Sequence, residues 1–284
     1  AVGFNGARLH QKVFEERFHY WADKLGYLCW GEYASWGIDE KSPIAARNFL
    51  PEWGNIIIRD RNHPSIVVWT PFNEVWWPDN VQYPRLVEDT YKLTHALDPT
   101  RPVNSVSGGV LTPFYDICCM HNYEQDPAKL KEIIYNGGKL FNMPSYTKTP
   151  TISSGNVPTG DMLDKAPLQT TEYDGRRPYL MDEFGGIKCL EANPVPDIEG
   201  REKQSSWGYG NSAVTKEDFY KRLEGQVDAI LDLQDLVWGF CYTQLTDVEQ
   251  EENGLYYYDR RPKYDAERLK GIFAKPLTTN EEKE

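Results

Sequence analysis

Two acids stand at the ends of apolar runs, where an unneeded carboxylate would be costly to bury. In "WTPFNEVWW", residues 69–77, Glu74 follows an asparagine and is wrapped in aromatic side chains. In "RPYLMDEFGG", residues 177–186, Glu183 closes a second apolar run 109 residues further on. A pair of carboxyl groups facing one another suits hydrolysis of a glycosidic bond. One, protonated, gives a proton to the leaving oxygen, and the other, ionised, attacks the anomeric carbon. Retention of configuration requires the two to lie ~5–5.5 Å apart. One must be neutral and the other charged, so their surroundings must differ. Phe72, Trp76 and Trp77 are apolar neighbours that favour the neutral form at Glu74. A single acid at a strand end is more often structural, and it is the pair that carries the chemistry.

The elements that must bring the two acids together alternate short apolar runs with helical stretches. "VGFNGARLH" reads as a strand, and Phe14, Phe18, Trp21 and Leu25 then recur at helical spacing until Gly26 closes the helix. "YLCWGE" is the next strand. Ser42-Pro43 is a cap with proline at the first helical position, opening a helix towards Arg61. "SIVVWTPFNE" is a third strand, and Leu86, Thr90, Tyr91, Thr94 and Leu97 mark the helix after it. "PVNSVSG" and "DICCMHNYE" follow as strands. Asp126-Pro127 opens a short helix that ends at Gly137-Gly138. Residues 139–176 are polar and rich in Pro, Thr and Ser, a loop long enough to be functional or mobile. "RPYLMDEFGG" is the sixth strand. Thr215 caps a helix with Phe219, Leu223, Val227, Ile230 and Leu231 on its apolar face. "LVWGFCYTQ" is the seventh strand, and "PKYDAERLKGIF" is the closing helix.

Repeated strand–helix units imply a parallel sheet covered by helices. An open doubly wound sheet would announce a glycine-rich phosphate loop after its first strand, and none is present. It would also hold Glu74 and Glu183 roughly 14 Å apart, at three strand spacings of ~4.8 Å. A closed barrel puts both strand ends at one mouth. The expected fold is therefore an α/β (β/α)8 TIM barrel over residues 1–275, with a frayed tail at 276–284. Seven strands are visible, so the barrel lacks its first strand in this chain, which opens on an apolar run without a start Met. An open edge on each side would then be a stability and aggregation liability.

Composition narrows the partners. The net charge is −12, which argues against nucleic-acid phosphate and anionic membranes. No apolar run approaches the ~18 residues a membrane span needs. Aromatic residues are 13% of the chain, with nine Trp and eighteen Tyr, and their faces suit a sugar. Cys29, Cys118, Cys119 and Cys241 sit in apolar runs and read as buried thiols. No CxxC, His-x-His or HExxH pairing occurs, so no metal and no cofactor are expected. Reduced surroundings are permitted, compartment is left open, and so is a homo-oligomer.

Four segments resemble glycoside hydrolase family 2, whose members include β-galactosidases, β-glucuronidases and β-mannosidases. "NHPSIVVWTPFNE" is similar to that family's acid/base signature and "RPYLMDEFGG" to its nucleophile strand. "GYLCWGEYASWG" and "FCYTQLTDVEQEENGLYYYDRRPK" are similar to segments after barrel strands three and eight. The similarity runs over nearly the whole chain. It implies Glu74 as acid/base, Glu183 as nucleophile, and Asn73 as donor to the sugar 2-hydroxyl. Arg8 would support the nucleophile. His10 sits in Arg-x-His, where the family often shows Arg-x-x-His. The resemblance also implies upstream sugar-binding-like and immunoglobulin-like domains.

Beside these, Tyr123 in "MHNYE" is placed to bond Glu183, and His121 and Asn122 to touch sugar hydroxyls. Glu32 and Trp36 follow one strand, Gln244 and Asp247 another, and all four are candidates for the sugar. Trp36, Trp76 and Trp77 are candidate platforms. "EQEEN" (249–253) reads as a solvated loop. Lys188 and Arg176 could recognise a carboxylated sugar. The reading is a retaining exo-acting β-glycosidase, β-galactosidase-like, with β-glucuronidase or β-mannosidase specificity as alternatives. A non-catalytic carbohydrate-binding barrel is a reading of a different class. A metal-dependent hydrolase is disfavoured.

Overall fold

The computed structural model describes residues 1–39, 42–75, 82–109, 111–140, 173–193 and 206–277. Trp76, Trp77 and most of the expected 139–176 loop lie outside these residues, as do positions 278–284 of the tail.

Among the described residues, strands and helices alternate as the apolar runs require. Strand β1 (Gly6–Arg8) precedes helix α1 (Glu16–Leu25), β2 (Leu28–Glu32) precedes α2 (Pro43–Asp60), and β3 (Ile66–Thr70) runs on into β4 (Phe72–Asn73) before α3 (Gln82–Leu97). Then come β5 (Val106–Ser107), β6 (Cys118–His121), α4 (Pro127–Ile134) and a small hairpin, β7 (Tyr135–Asn136) with β8 (Lys139–Leu140). The last elements are β9 (Tyr179–Gly185), α5 (Lys216–Leu231), β10 (Gly239–Thr243) and α6 (Ala266–Phe273).

The caps explain several boundaries. Gly26 ends α1 in the left-handed region at φ 65°, where its lack of a Cβ costs nothing. Ser42 Oγ accepts from the Ile44 amide, with Pro43 at the first position of α2. Thr215 Oγ1 and Asp265 Oδ1 cap α5 and α6. Two details depart from the helical spacing. On α1 the buried residues are His19 and Ala22, while Trp21 and Leu25 of the expected apolar face are 54% and 77% exposed. The helix lies against the barrel at a different angle from the one its largest apolar residues suggest. The helix from Asp126 stops at Ile134, and Gly137-Gly138 turn the β7–β8 hairpin instead.

All barrel pairings are parallel. β1, β2 and β3 form one sheet, β4 pairs with β5, and β6, β9 and β10 form another. The groups are joined: Trp69 at the end of β3 bridges Val103, and Asp116 donates its amide to Val103 O. Seven consecutive barrel positions result, in chain order. The outer edges of β1 and β10 pair with no strand among the described residues.

Buried apolar residues fall in two clusters. One lies behind β2–β4 with α2 and α3, around Trp53, Ile57, Trp69 and Phe72. The other lies behind β6, β9 and β10 with α4–α6, around Tyr179, Met181, Phe184, Phe219 and Leu223. Each large side chain so buried contributes on the order of 2 kcal/mol. The two indole N–H groups of the first cluster are satisfied by Thr94 Oγ1 and Asp98 Oδ2, each at 2.8 Å. Apart from these walls, a cavity of about 1150 Å³ opens at the mouth beside Glu74, Glu183 and Tyr209 and continues between β1 and β10 to Phe4 and Trp238. All five cysteines are free, including Cys29, Cys118, Cys119 and Cys241 in strands.

Candidate active site

Arg8 at the end of β1 organises the mouth. Its guanidinium is 3% exposed and reaches four partners. Nε donates to Glu32 Oε2 at 2.7 Å, Nη1 to Glu183 Oε1 at 2.5 Å, and Nη2 to Asn73 Oδ1 at 2.5 Å; Nη2 also meets His10 Nδ1 at 3.0 Å. Burial opposes its charge, but Glu32, Glu183 and Asp182 overcome that and hold Arg8 protonated more firmly than usual.

Glu183, on β9, is 7% exposed. Burial favours its neutral form. The charges of His121, Arg8 and His10 and the Tyr123 hydroxyl outweigh it, and hold the carboxyl well below the usual carboxylate range. Tyr123 donates its hydroxyl to Glu183 Oε2 and stacks on Tyr209, with ring centroids 3.5 Å apart and planes 3° apart. Glu183 is thus an ionised, fully directed carboxylate.

Glu74 lies just past β4 with φ 48°, a left-handed backbone uncommon outside glycine. Its amide donates to Ser107 O at 2.8 Å, so pairing with β5 pins this turn. Its Oε1 meets His121 Nδ1 at 2.8 Å. Acceptor atoms of Glu74, His121 and Glu183 all lie within 4.8 Å of one another, so the two acids do converge across the mouth. These three side chains come from just past β4, from β6 and from β9. Burial lowers the basicity of His121, but Glu183, Asp182 and Glu74 push it up to about 10.

Other expected residues take varied places. Asn73 is fully buried, and its Nδ2 has no hydrogen-bond partner among the described residues. His10 and Trp36 line the cavity, with rings edge-on at 5.8 Å, and Trp36 Nε1 donates to Asn73 O at 3.0 Å. Trp36 is 61% exposed, a usable platform. Gln244 also lines the cavity.

Four other residues expected to touch the sugar are buried and have protein partners. Glu32 is buried and both its oxygens are taken, by Arg8 and by the Gln11 amide at 3.0 Å, so it anchors the arginine. Asp247 is buried against Lys263 Nζ at 2.5 Å and accepts the Gly254 amide at 2.9 Å, so it holds a loop. Asn122 is buried and caps its own turn, accepting the Glu124 amide at 2.8 Å. His121 is buried with both nitrogens engaged, by Glu74 and by Ser107 Oγ at 2.9 Å. Lys188 is likewise spent, on Ser206 and on Glu252 at 3.4 Å.

Other site residues escaped the sequence reading. Trp207 and Tyr209 belong to no periodic element and enter the wall through Tyr123. Glu251, within the expected solvated loop, is turned into the cavity by a bridge to Trp207. Burial raises its affinity for a proton, Asn253 opposes, and Glu183 and Glu74 raise it further. Asp182, next to Glu183, is buried and accepts from Ser107 Oγ at 2.6 Å and Asn104 Nδ2 at 3.2 Å. Two adjacent strand acids normally point to opposite faces of a sheet.

Comparison with known proteins agrees with this geometry. Residues 18–157, about half of the chain, match the sequence profile described as "Glycosyl hydrolases family 2, TIM barrel domain". A β-galactosidase 2 of Enterobacter cloacae is 30% identical over 291 residues, covering 92% of this chain and 24% of that protein. A β-glucuronidase of Canis lupus familiaris is 28% identical over 132 residues, 43% of this chain and 20% of that protein. Among solved structures, the β-D-glucuronidase of Dictyoglomus thermophilum superposes with TM-score 0.64 at 19% identity, over 97% of this chain and 46% of that one. The β-galacturonidase of Eisenbergiella tayi bound to galacturonate gives 0.65 at 18% identity, over 98% and 46%. The chain therefore spans less than half the length of these relatives. The profile match, the relatives and the barrel agree that the chain belongs to glycoside hydrolase family 2 and carries its TIM-barrel domain.

Proposed function

We propose that this barrel is the catalytic domain of a retaining exo-acting β-glycosidase. The observation that carries the reading is the convergence of Glu74 and Glu183 to within 4.8 Å, the separation class of a double displacement. Glu183, ionised and held by Arg8 and Tyr123, attacks the anomeric carbon. Glu74 protonates the leaving oxygen, then takes a proton from the water that hydrolyses the glycosyl ester. Asn73 Nδ2 donates to the sugar 2-hydroxyl, and Trp36 offers a face to the ring.

A neutral β-galactoside is the favoured substrate. Glu251 lines the mouth and Lys188 is paired with Glu252 at 3.4 Å, so no cation of that pair is left for an anionic sugar. A uronide is the second reading, favoured by the names of the superposing structures. A panel of 4-nitrophenyl β-galactoside, β-glucuronide and β-mannoside separates them, and proton NMR of the first-formed product reads the stereochemistry. Hydrolysis of the galactoside with first release of the β-anomer is expected. First release of the α-anomer would overturn the double displacement, and preference for the glucuronide would overturn the sugar. Azide should partly restore turnover to Glu74→Ala as the β-glycosyl azide.

A further inference from the structure

The buried imidazole of His121 determines where one proton of the mouth must lie. Its Nε2 is 2.9 Å from Ser107 Oγ, and its Nδ1 is 2.8 Å from Glu74 Oε1. Ser107 has a single hydroxyl proton. The ionised Asp182 Oδ2, 2.6 Å away, takes it, because a charged acceptor outcompetes a neutral nitrogen. The Ser107 oxygen must then accept from His121, so Nε2 carries a proton. Asp182 Oδ1, 3.3 Å from Nε2, favours the same tautomer by charge, although it makes no hydrogen bond. That leaves Nδ1 facing Glu74 Oε1. A bare nitrogen against a bare carboxylate at this distance would repel, so one proton lies between them. Gly108 keeps the ring in place: at φ 61° its backbone passes so close that a Cβ would stand 2.2 Å from Nδ1.

We propose that His121 is a positioning residue that holds, jointly with Glu74, the one proton delivered to the leaving oxygen, with Ser107 and Asp182 fixing its tautomer. The inference rests on the reading of Glu74 as the acid. The groups facing His121 are Glu74 from the end of β4, Ser107 from β5, and Asp182 and Glu183 from β9, the last with Oε2 at 3.4 Å from Nδ1. Three carboxylates around one imidazole explain why it stays protonated far above the ordinary histidine range.

The proton balance closes over a turnover. In the first half, a Glu183 oxygen bonds to the anomeric carbon. The bond from that carbon to the leaving oxygen breaks with its electron pair on oxygen, and the shared proton passes through the Glu74 carboxyl to that oxygen. Glu74 is then a carboxylate, and His121 is a neutral imidazole protonated at Nε2. In the second half, a water oxygen bonds to the anomeric carbon, the ester bond to Glu183 breaks, and the water's proton returns to the pair.

The test is the pH profile of kcat/KM for the 4-nitrophenyl glycoside that the unaltered full chain hydrolyses fastest, compared with His121→Asn. Because Glu74, Asp182 and Glu183 surround the imidazole and favour the proton on it, the unaltered protein should keep its rate above pH 7. His121→Asn should move the basic limb down by at least about one pH unit. It should also lower the rate on 4-nitrophenyl glycoside by about tenfold or more at pH 8, with 2,4-dinitrophenyl glycoside, which departs without a proton, affected less than about threefold. An unmoved basic limb in a folded variant, or equal losses on both leaving groups, would overturn the proposal. Nitrogen-15 NMR of the unaltered protein decides even where the variant does not fold. Nε2 protonated throughout pH 5–9 supports the proposal, and an Nε2 without a proton overturns it. Glu183→Ala separates the two levels: if it turns over normally, the glycosidase reading itself fails, whereas if it is inactive and the limb of His121→Asn is unmoved, only the role of His121 fails.

Discussion

The two acids of the mouth are the same residue type in opposite settings. Glu183 sits inside a seven-residue strand, with Arg8 on one oxygen and Tyr123 on the other. Glu74 sits beyond a two-residue strand on a left-handed turn, with its side chain 24% exposed and hydrogen-bonded to His121. The first setting stabilises a negative charge; the second leaves the carboxyl partly open to the cavity. Under the proposed mechanism, the division of labour between identical carboxylates comes from what surrounds them.

The sharpest way to break this contrast is to remove each carboxylate in turn. Glu183→Gln should lower kcat by on the order of 10⁴-fold or more, whatever the leaving group, since the covalent step is lost. Glu74→Gln should lower it by about 10²–10⁴-fold for 4-nitrophenyl glycosides and much less for 2,4-dinitrophenyl. Equal behaviour of the two variants across leaving groups would erase the distinction.

Arg8→Met tests the support on the Glu183 side. It strands Glu32 and Glu183 as buried anions and should cost about 3–5 kcal/mol in a denaturant titration, besides activity. A stability change below ~1 kcal/mol would show that the guanidinium is dispensable to the fold.

The Glu74 side predicts a pH signature of stability. His121 has its pKa raised in the folded state from 6.5 to about 10. The stability it adds is therefore fully present below about pH 6.5 and is lost as pH rises through 10. Glu183 has the opposite sign: its depressed carboxyl contributes above the ordinary glutamate value and loses that contribution as pH falls. Melting temperature should thus decline on the alkaline side in the unaltered protein, and less so in His121→Asn. Parallel curves would contradict the assignment. The smallest effect is expected at the rim, where Trp36→Ala should raise KM severalfold with kcat little changed, in line with about 1 kcal/mol of aromatic contact.

Most of the fold was legible because periodicity, caps and turn residues act locally. All seven barrel strands, the Ser42 and Thr215 caps and the Gly26 stop follow from short stretches. The exposed Trp21 and Leu25 were not, since the face a helix buries depends on how it lies against the sheet. In the site, Glu74, Glu183 and Tyr123 are candidates by standing at strand ends, while the roles of Arg8 and Asn73 come from the family resemblance. Glu32, Asn122 and Asp247 stand at similar positions but are consumed by Arg8, by a turn and by Lys263. Residue type and position name a candidate, and only its partners tell whether its polar atoms remain free for a ligand.

The sequence by itself determined the alternation of strands and helices, the parallel barrel, and the two carboxylates that end its strands, because each depends on neighbours within a few residues or on a repeating order. The tertiary structure alone decided that those carboxylates meet within 4.8 Å, that Glu251 turns inward, and that His121 links the acids to Asp182. These depend on side chains from β4, β5, β6 and β9 sharing one small volume. Charge interactions follow distance in space, which no separation along the chain records.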